Sequence, residues 1–172
     1  MDALQNMMSR KSVKKYKSDP VPKELLDKII AAGLQAPSGL NKQAPIILAV
    51  TNKEIRDKLS ADNMQKDPFH RADPFYGAPV VLVVLADKSA STYLYDGALV
   101  MENMLLAAHA LGLGACWIHR ARETFDLPEW KAWLKELGVE GDYEGIGNCI
   151  VGYADIEPQE KPRKENRVYY ID

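Results

Sequence analysis

Apolar residues fall into two kinds of run along this 172-residue chain, and each predicts an element. Behind Pro22, Leu25, Leu26, Ile29 and Ile30 share one helical stripe, which Pro37 stops before a turn at Ser38-Gly39. Leu4, Met7 and Met8 mark a shorter helix in residues 1–9. Trp130, Trp133, Leu134 and Leu137 stand at i, i+3, i+4 and i+7 between Pro128 and Gly138, which open and close another helix. Thr51-Asn52-Lys53-Glu54 has capping-box spacing, so a helix is expected through Leu59. The second kind of run is continuous rather than periodic. Residues 45–50, 79–85, 113–118 and 145–153 read as buried strands. Residues 61–77 are polar and broken by Pro68, Pro74 and Gly77, as in a mobile surface loop. Val168-Tyr169-Tyr170-Ile171 reads as a stray strand that needs a sheet edge to join, on a partner molecule. This mixed order of strands and helices predicts an α+β fold, and the length suits a single domain over residues 1–172.

Residues 91–112 are apolar on nearly every side, yet Asp96, Glu102, Asn103 and His109 lie among them, which argues against a membrane span. A helix apolar all round is buried all round. A domain this small rarely covers both faces of such a helix, so self-association is expected. A net charge of -2, with 47% hydrophobic and 27% charged residues, fits a globular protein and argues against a dedicated nucleic-acid binder. Cys116 and Cys149 lie in strand-like runs without CxxC spacing and are expected reduced and buried. No charged-then-apolar leader opens the sequence, so a cytoplasmic setting is expected.

Candidate chemistry begins with Arg10, Lys11, Ser12, Lys14, Lys15 and Lys17. A solvated helix end is one reading. The other is an anion site, since a guanidinium fork beside a hydroxyl suits a phosphate. A second basic set, Lys161, Arg163, Lys164 and Arg167, near the other terminus of a net-acidic chain favours a local anionic ligand. Gly112 and Gly114, then Gly145 and Gly147, have neither the order nor the setting of a dinucleotide turn and read as close-packing glycines. His70, His109 and His119 have no ligand spacing, so no metal site is expected, and His109 reads as a satisfied core residue. No Ser/His/Asp or Cys/His set supports acyl transfer.

The Arg10-x-Ser12-Val13-Lys14-x-Tyr16 opening is followed by Pro37-Ser38-x-x-Asn41-x-Gln43, then by Asp96-Gly97-Ala98 and its helix to Leu111-Gly112-Leu113-Gly114. The strand Gly147-Asn148-Cys149-Ile150-Val151-Gly152-Tyr153 and a basic tail complete the order. This ordered set resembles the FMN-dependent nitroreductase family along nearly the whole chain. The resemblance implies a central, mostly antiparallel sheet flanked by helices, in an intertwined homodimer with a C-terminal strand extension. FMN would lie at the interface, with NADH or NADPH as electron donor.

By the same resemblance, Arg10 and Ser12, with Lys11 beside them, meet the FMN phosphate and ribityl chain, and Lys14 lies near the pyrimidine edge. Pro37, Ser38 and Asn41 come from the other subunit, although Ser38 and Asn41 also read as simple turn caps. Trp117, Ile118 and His119 line the ring, with core packing as the alternative for Trp117, and Arg163 and Lys161 close over the phosphate. Phe69, Phe75 and Tyr76 read as loop packing, with a roof over the substrate as the alternative. Gln43 is followed by Ala44-Pro45-Ile46, where the family often has proline and tryptophan. His119-Arg120-Ala121-Arg122 stands where many members have an acidic residue and glycine, a change that would favour an anionic substrate. The implied activity is two-step hydride transfer to nitroaromatics, quinones or similar acceptors, with no side chain assigned as acid or base. A specialised flavin enzyme on the same frame (dehalogenase, desaturase or flavin-consuming) and a non-enzymatic flavin carrier are the alternatives.

Overall fold

The structure is a computed structural model and describes residues 2–65 and 72–172. Helices α1 (Ala3–Ser9) and α2 (Lys23–Leu34) lead through a single 3-10 turn (Gly39–Asn41) to strand β1 (Pro45–Val50). Helix α3 (Lys53–Gln65), strand β2 (Val80–Asp87) and the long helix α4 (Tyr93–Ala110) follow. Strand β3 (Gly114–Ile118), helices α5 (Ala121–Phe125) and α6 (Pro128–Glu136), and strand β4 (Tyr143–Gly152) complete the order. Among the described residues the strands form one antiparallel sheet, β1-β2-β4-β3. Leu82 faces Cys149 across β2 and β4, and Trp117 faces the same Cys149 across β3 and β4. The expected α+β fold, with an antiparallel sheet between helices, is observed.

Side chains alternate across a strand, so each strand feeds two cores. Val80, Leu82, Val84 and Ala86 pack with Ile29 of α2 and Met101, Met104 and Leu105 of α4. Val81, Val83 and Leu85 point the other way, to Leu59, Phe75, Phe125, Trp130 and Leu134. Helices thus cover both faces, which is why β2 is a solid apolar run instead of an alternating one. No helix among the described residues is long and apolar enough to cross a membrane. Within one chain α4 still leaves Leu94, Tyr95 and Leu99 exposed. Both cysteines are free and buried.

Several expectations need correction. Helix α3 does not stop at Leu59 but runs to Gln65, and its cap is Asn52, whose Oδ1 accepts from the Ile55 N–H at 3.0 Å. The polar residues Asp62 and Asn63 look loop-like in sequence, yet both are buried with partners: Asp62 accepts from Trp130 Nε1 at 2.8 Å, and Asn63 donates to the His119 carbonyl at 2.9 Å. Residues 66–71, including the expected Phe69 and Pro68, lie outside the described residues. Residues 72–77 form a packed turn: Phe75 is fully buried, and Asp73 accepts from Ser60 Oγ and Arg56 Nη2, both at 2.6 Å, and from the N–H groups of Phe75 and Gly77. Residues 168–171 form no strand within the chain and are 69 to 96% exposed. Helix α5 was not anticipated. Gly112 is a turn glycine at φ +77° where an added Cβ would meet nothing within 4 Å, whereas Gly114, Gly145 and Gly147 do serve close packing.

Two predictions follow from these contacts. A Cβ on Gly145 would stand 2.3 Å from the Ala121 carbonyl, which is backbone and has little room to retreat. Gly145→Ala should therefore cost about 1–3 kcal/mol of overpacking, read as a lower denaturant midpoint; an unchanged midpoint would show that the β3–α5 turn moves freely. At Asp73, burial raises the carboxyl pKa, but the bonds from Arg56, Ser60, Gly77 and Phe75 outweigh it and hold the group below its ordinary 3.8. Its stabilisation is thus complete above the unfolded value and disappears as pH falls through the depressed folded one. Asp73→Asn should lose roughly 2–4 kcal/mol at neutral pH, because buried Arg56 loses a counter-charge. In urea titrations at several pH values, wild type and variant should converge under strongly acidic conditions; a gap that persists there would remove ionisation as the cause.

Candidate functional site

The segment after α1 is extended and lies along the outer edge of β3. Ser12 bridges Ala115 in parallel, with the Val13 N–H donating to the Ala115 carbonyl at 3.1 Å. Tyr16 then bridges Ala154 antiparallel, and the Lys17 N–H donates to the Tyr153 carbonyl at 2.9 Å. Val13 and Tyr16 turn inward and are buried, with the Tyr16 hydroxyl donating to the Val13 carbonyl at 2.8 Å, while Ser12, Lys14 and Lys15 are exposed. The two buried positions stand three apart, so the segment does not keep strict strand alternation and changes partner between its bridges, from β3 to the chain after β4. Gly114 gives Val13 its seat: a Cβ there would meet Val13 Cγ2 at 2.8 Å. The basic cluster therefore begins as a helix end, with Arg10 capping α1, and from Ser12 onward is an edge strand-like segment.

Arg10 is half-buried. Its Nε lies 3.8 Å from Glu102 Oε1 of α4, a loose pair, while its Nη1 is buried and has no hydrogen-bond partner. A shielded guanidinium nitrogen without an acceptor is costly, and it suits an anion arriving from outside the chain. His109, further along α4, has its pKa lowered from the ordinary 6.5 by partial burial and by the Arg10 charge, and its Nε2 meets Ser9 Oγ at 2.9 Å. Lys11 is half-buried beside Arg10 in sequence. Lys14 Nζ lies 5.9 Å from the centroid of the Tyr76 ring, so the 72–77 turn abuts the basic segment. Tyr76 thus joins the site as a neighbour of Lys14, which sequence spacing gave no means to see.

At the end of β3, Ile118 is buried, Trp117 is half-buried and His119 is exposed. Trp117 rests on Gly147, where a Cβ would stand 2.4 Å from Trp117 Nε1. Arg120 follows with a left-handed backbone, and its guanidinium donates to Asn63, to Oδ1 at 2.9 Å and to the backbone carbonyl at 3.3 Å. Within the run His119-Arg120-Ala121-Arg122, the Arg120 fork is thus engaged on the end of α3. Ser12 is thus set beside Ala115 of β3, with Arg10 and Lys14 on either side of it in the segment, while Trp117, Ile118 and His119 follow along β3, Trp117 packing on the α4 side of the sheet and Ile118 buried in the opposite core.

Pro37, Ser38 and Asn41 are not part of that cluster within one chain. Ser38 Oγ accepts from the Gln43 N–H at 3.0 Å, and Asn41 Oδ1 accepts from Gln43 Nε2 at 3.1 Å, so both organise their own turn. The Gly39 N–H donates to Asp96 Oδ1 at 3.1 Å, which ties the turn to the start of α4. Glu102 and His109, which neighbour Arg10, lie about 9 and 20 Å further along that helix at 1.5 Å per residue. Leu40, Asn41 and Gln43 all take positive φ, an unusual concentration outside glycine. Lys161 and Arg163 lie on the exposed tail.

Comparison with known proteins bears on this geometry. A Methanothermobacter thermautotrophicus protein provisionally named an NADH dehydrogenase/NAD(P)H nitroreductase is 32% identical over 146 residues, covering 75% of this chain and 71% of that protein. The NADPH-flavin oxidoreductase of Vibrio harveyi is 28% identical, covering 94% of this chain and 70% of its own length. A crystal structure of a nitroreductase with bound FMN from Bacteroides fragilis superposes with a TM-score of 0.87 at 28% identity, covering 100% of both chains. The model of the nitroreductase family matches residues 7–153, from α1 to the end of β4, and the chain belongs to that family.

Proposed function

We propose that this chain is an FMN-dependent oxidoreductase that takes electrons from NADH or NADPH and reduces nitroaromatics, quinones or similar electron-poor acceptors in a ping-pong cycle. The observation that carries the reading is Arg10 Nη1, a buried cationic donor with no partner, set beside the outward Ser12 hydroxyl and Lys14. Family membership and the FMN in the Bacteroides fragilis relative support the same ligand. The names of the Methanothermobacter and Vibrio relatives support the nicotinamide donor.

Arg10, Lys11 and Ser12 would hold the phosphate and ribityl chain through charge-assisted hydrogen bonds. Lys14 sets a fixed positive charge beside the ring, which favours negative charge developing there. Trp117 and His119, with the backbone of Ile118, would flank the ring, and Gly147 lets Trp117 lie close to β4. The redox chemistry belongs to the flavin, in two half-reactions that use the cleft in turn. The protein contributes binding, orientation and electrostatics, and no side chain is assigned a proton.

Two copies would form the working unit. Pro37, Ser38 and Asn41 lie away from Arg10 along α4, so they would complete the partner's site. Exposed Leu94, Tyr95 and Leu99, together with the unpacked apolar run at 168–171, provide surface for that association. Lys161 and Arg163 would reach the phosphate from the same tail. A cytoplasmic setting fits two buried, free cysteines.

Arg10→Ala should weaken FMN binding at least about tenfold, the scale of losing a hydrogen bond to a charged group, measured by quenching of flavin fluorescence on titration with protein. Adding Lys14→Ala should leave the purified protein colourless. In wild type, the flavin bands should bleach anaerobically on addition of NADH or NADPH. Undiminished flavin in the double variant would remove the site assignment, and bound flavin that neither nicotinamide bleaches would leave a carrier in place of an enzyme.

A further inference from the structure

Beyond β3 the backbone turns through Arg120 at φ +72°, ψ +17°. Glycine adopts this left-handed conformation freely, and residues with a Cβ resist it. Here it is held from three directions. The Arg120 carbonyl accepts from the Thr124 N–H at 3.1 Å and from Thr124 Oγ1 at 2.9 Å, which fixes the start of α5. The Arg120 side chain donates to Asn63, Nη2 to Oδ1 at 2.9 Å and Nε to the backbone carbonyl at 3.3 Å. Asn63 Nδ2 in turn donates to the His119 carbonyl at 2.9 Å, and Asn63 is 0% exposed.

These bonds close a ring: Arg120 side chain, Asn63, His119 carbonyl, Arg120 backbone. The peptide joining His119 to Arg120 is trans, so a carbonyl aimed inward at Asn63 sets the N–H of the same plane in the opposite direction, away from the core. Asn148, 1% exposed, adds longer contacts from Nδ2 to the Ile118 and His119 carbonyls, at 3.4 and 3.5 Å.

We infer that Asn63, on the last turn of α3, and Arg120, just past β3, form a positioning pair that holds the left-handed kink and, through it, the orientation of the 118–120 peptides that shape the flavin-facing end of the strand. The inference rests on the flavin reading above. Arg120 acts here through the backbone it holds and not as a charge offered to the substrate. The fork bridging two Asn63 oxygens does for this arginine what the missing Cβ does for a glycine.

Two variants separate conformation from charge. Arg120→Gly discards the guanidinium but adopts the kink without restraint. Arg120→Lys keeps the charge and the Cβ, but a single ammonium does not reproduce the planar fork. The FMN dissociation constant from fluorescence titration, and the midpoint potential of the bound flavin, are measured for wild type and both variants. Arg120→Gly should stay within about threefold of wild type with its potential unmoved, whereas Arg120→Lys should bind about tenfold more weakly with a shifted potential. The reverse order would overturn the inference by assigning the role to charge, and so would two variants that behave alike. A wild-type protein that takes up no FMN removes the flavin reading instead. The kink is then read from the amide chemical shifts of residues 118 and 119, which Arg120→Gly should preserve and Arg120→Lys should move; the opposite pattern overturns it.

Discussion

An edge strand exposes a row of backbone N–H and C=O groups that must be paired, covered or solvated, and β3 is such a strand. The chain meets this requirement with its own N-terminal segment. Ser12 and Val13 pair with Ala115, and Tyr16 and Lys17 pair with the chain leaving β4. Its two inward anchors, Val13 and Tyr16, leave Ser12, Lys14 and Lys15 exposed. The pairing that protects the sheet edge is thus what lines up cations and a hydroxyl beside the end of β3. Stability and ligand chemistry are coupled at this edge: loosening Val13 from its seat on Gly114 would also scatter the groups of the proposed phosphate site.

The two-sided core makes that edge rigid. Strand β4 lies between β2 and β3 and is buried on both faces from Gly145 onward. Its glycines admit what a side chain would exclude: the α5 backbone over Gly145 and the Trp117 ring over Gly147. The site therefore sits on a strand whose position is fixed by close packing with one neighbour and by backbone pairing with another. Loops contribute less, and where one does, it is tethered. The 72–77 turn that brings Tyr76 to Lys14 hangs from Asp73, whose carboxylate is shared among Arg56, Ser60 and two backbone N–H groups.

Much of this was legible in the residues, and what was not has physical reasons. Strand β1 begins and ends where its apolar run does, because the run is bounded by the polar residues Gln43 and Thr51 on either side of Ala44–Val50. Helix α3 was cut short because Asp62 and Asn63 look solvent-directed until Trp130 and His119 arrive from elsewhere in the chain to satisfy them. The run at 168–171 has strand composition but pairs with no strand within the chain, because composition alone does not supply a partner's hydrogen bonds. Helix α5 has five residues, too few for periodicity to register, and is set by the capped turn at Arg120. At the site, Arg10, Ser12 and Lys14 were legible because they stand within one short basic segment whose composition already marks it. The pairing of Asn63 with Arg120 spans 57 residues and leaves no local trace.

The loose contact between Arg10 and Glu102 fits the same economy of charge. At 3.8 Å, with the glutamate half exposed, the pair is screened by water and holds the guanidinium only weakly. That is enough to keep the side chain against α4 while leaving Nη1 unsatisfied. A tight bidentate bridge would have satisfied the arginine within the chain and removed its reason to bind anything else. A bare, fully solvated arginine would have had to order itself at the moment of binding. The intermediate arrangement orients the donor beforehand and leaves its strongest interaction unmade, so that in the proposed site a ligand carrying more negative charge than one carboxylate would outcompete Glu102.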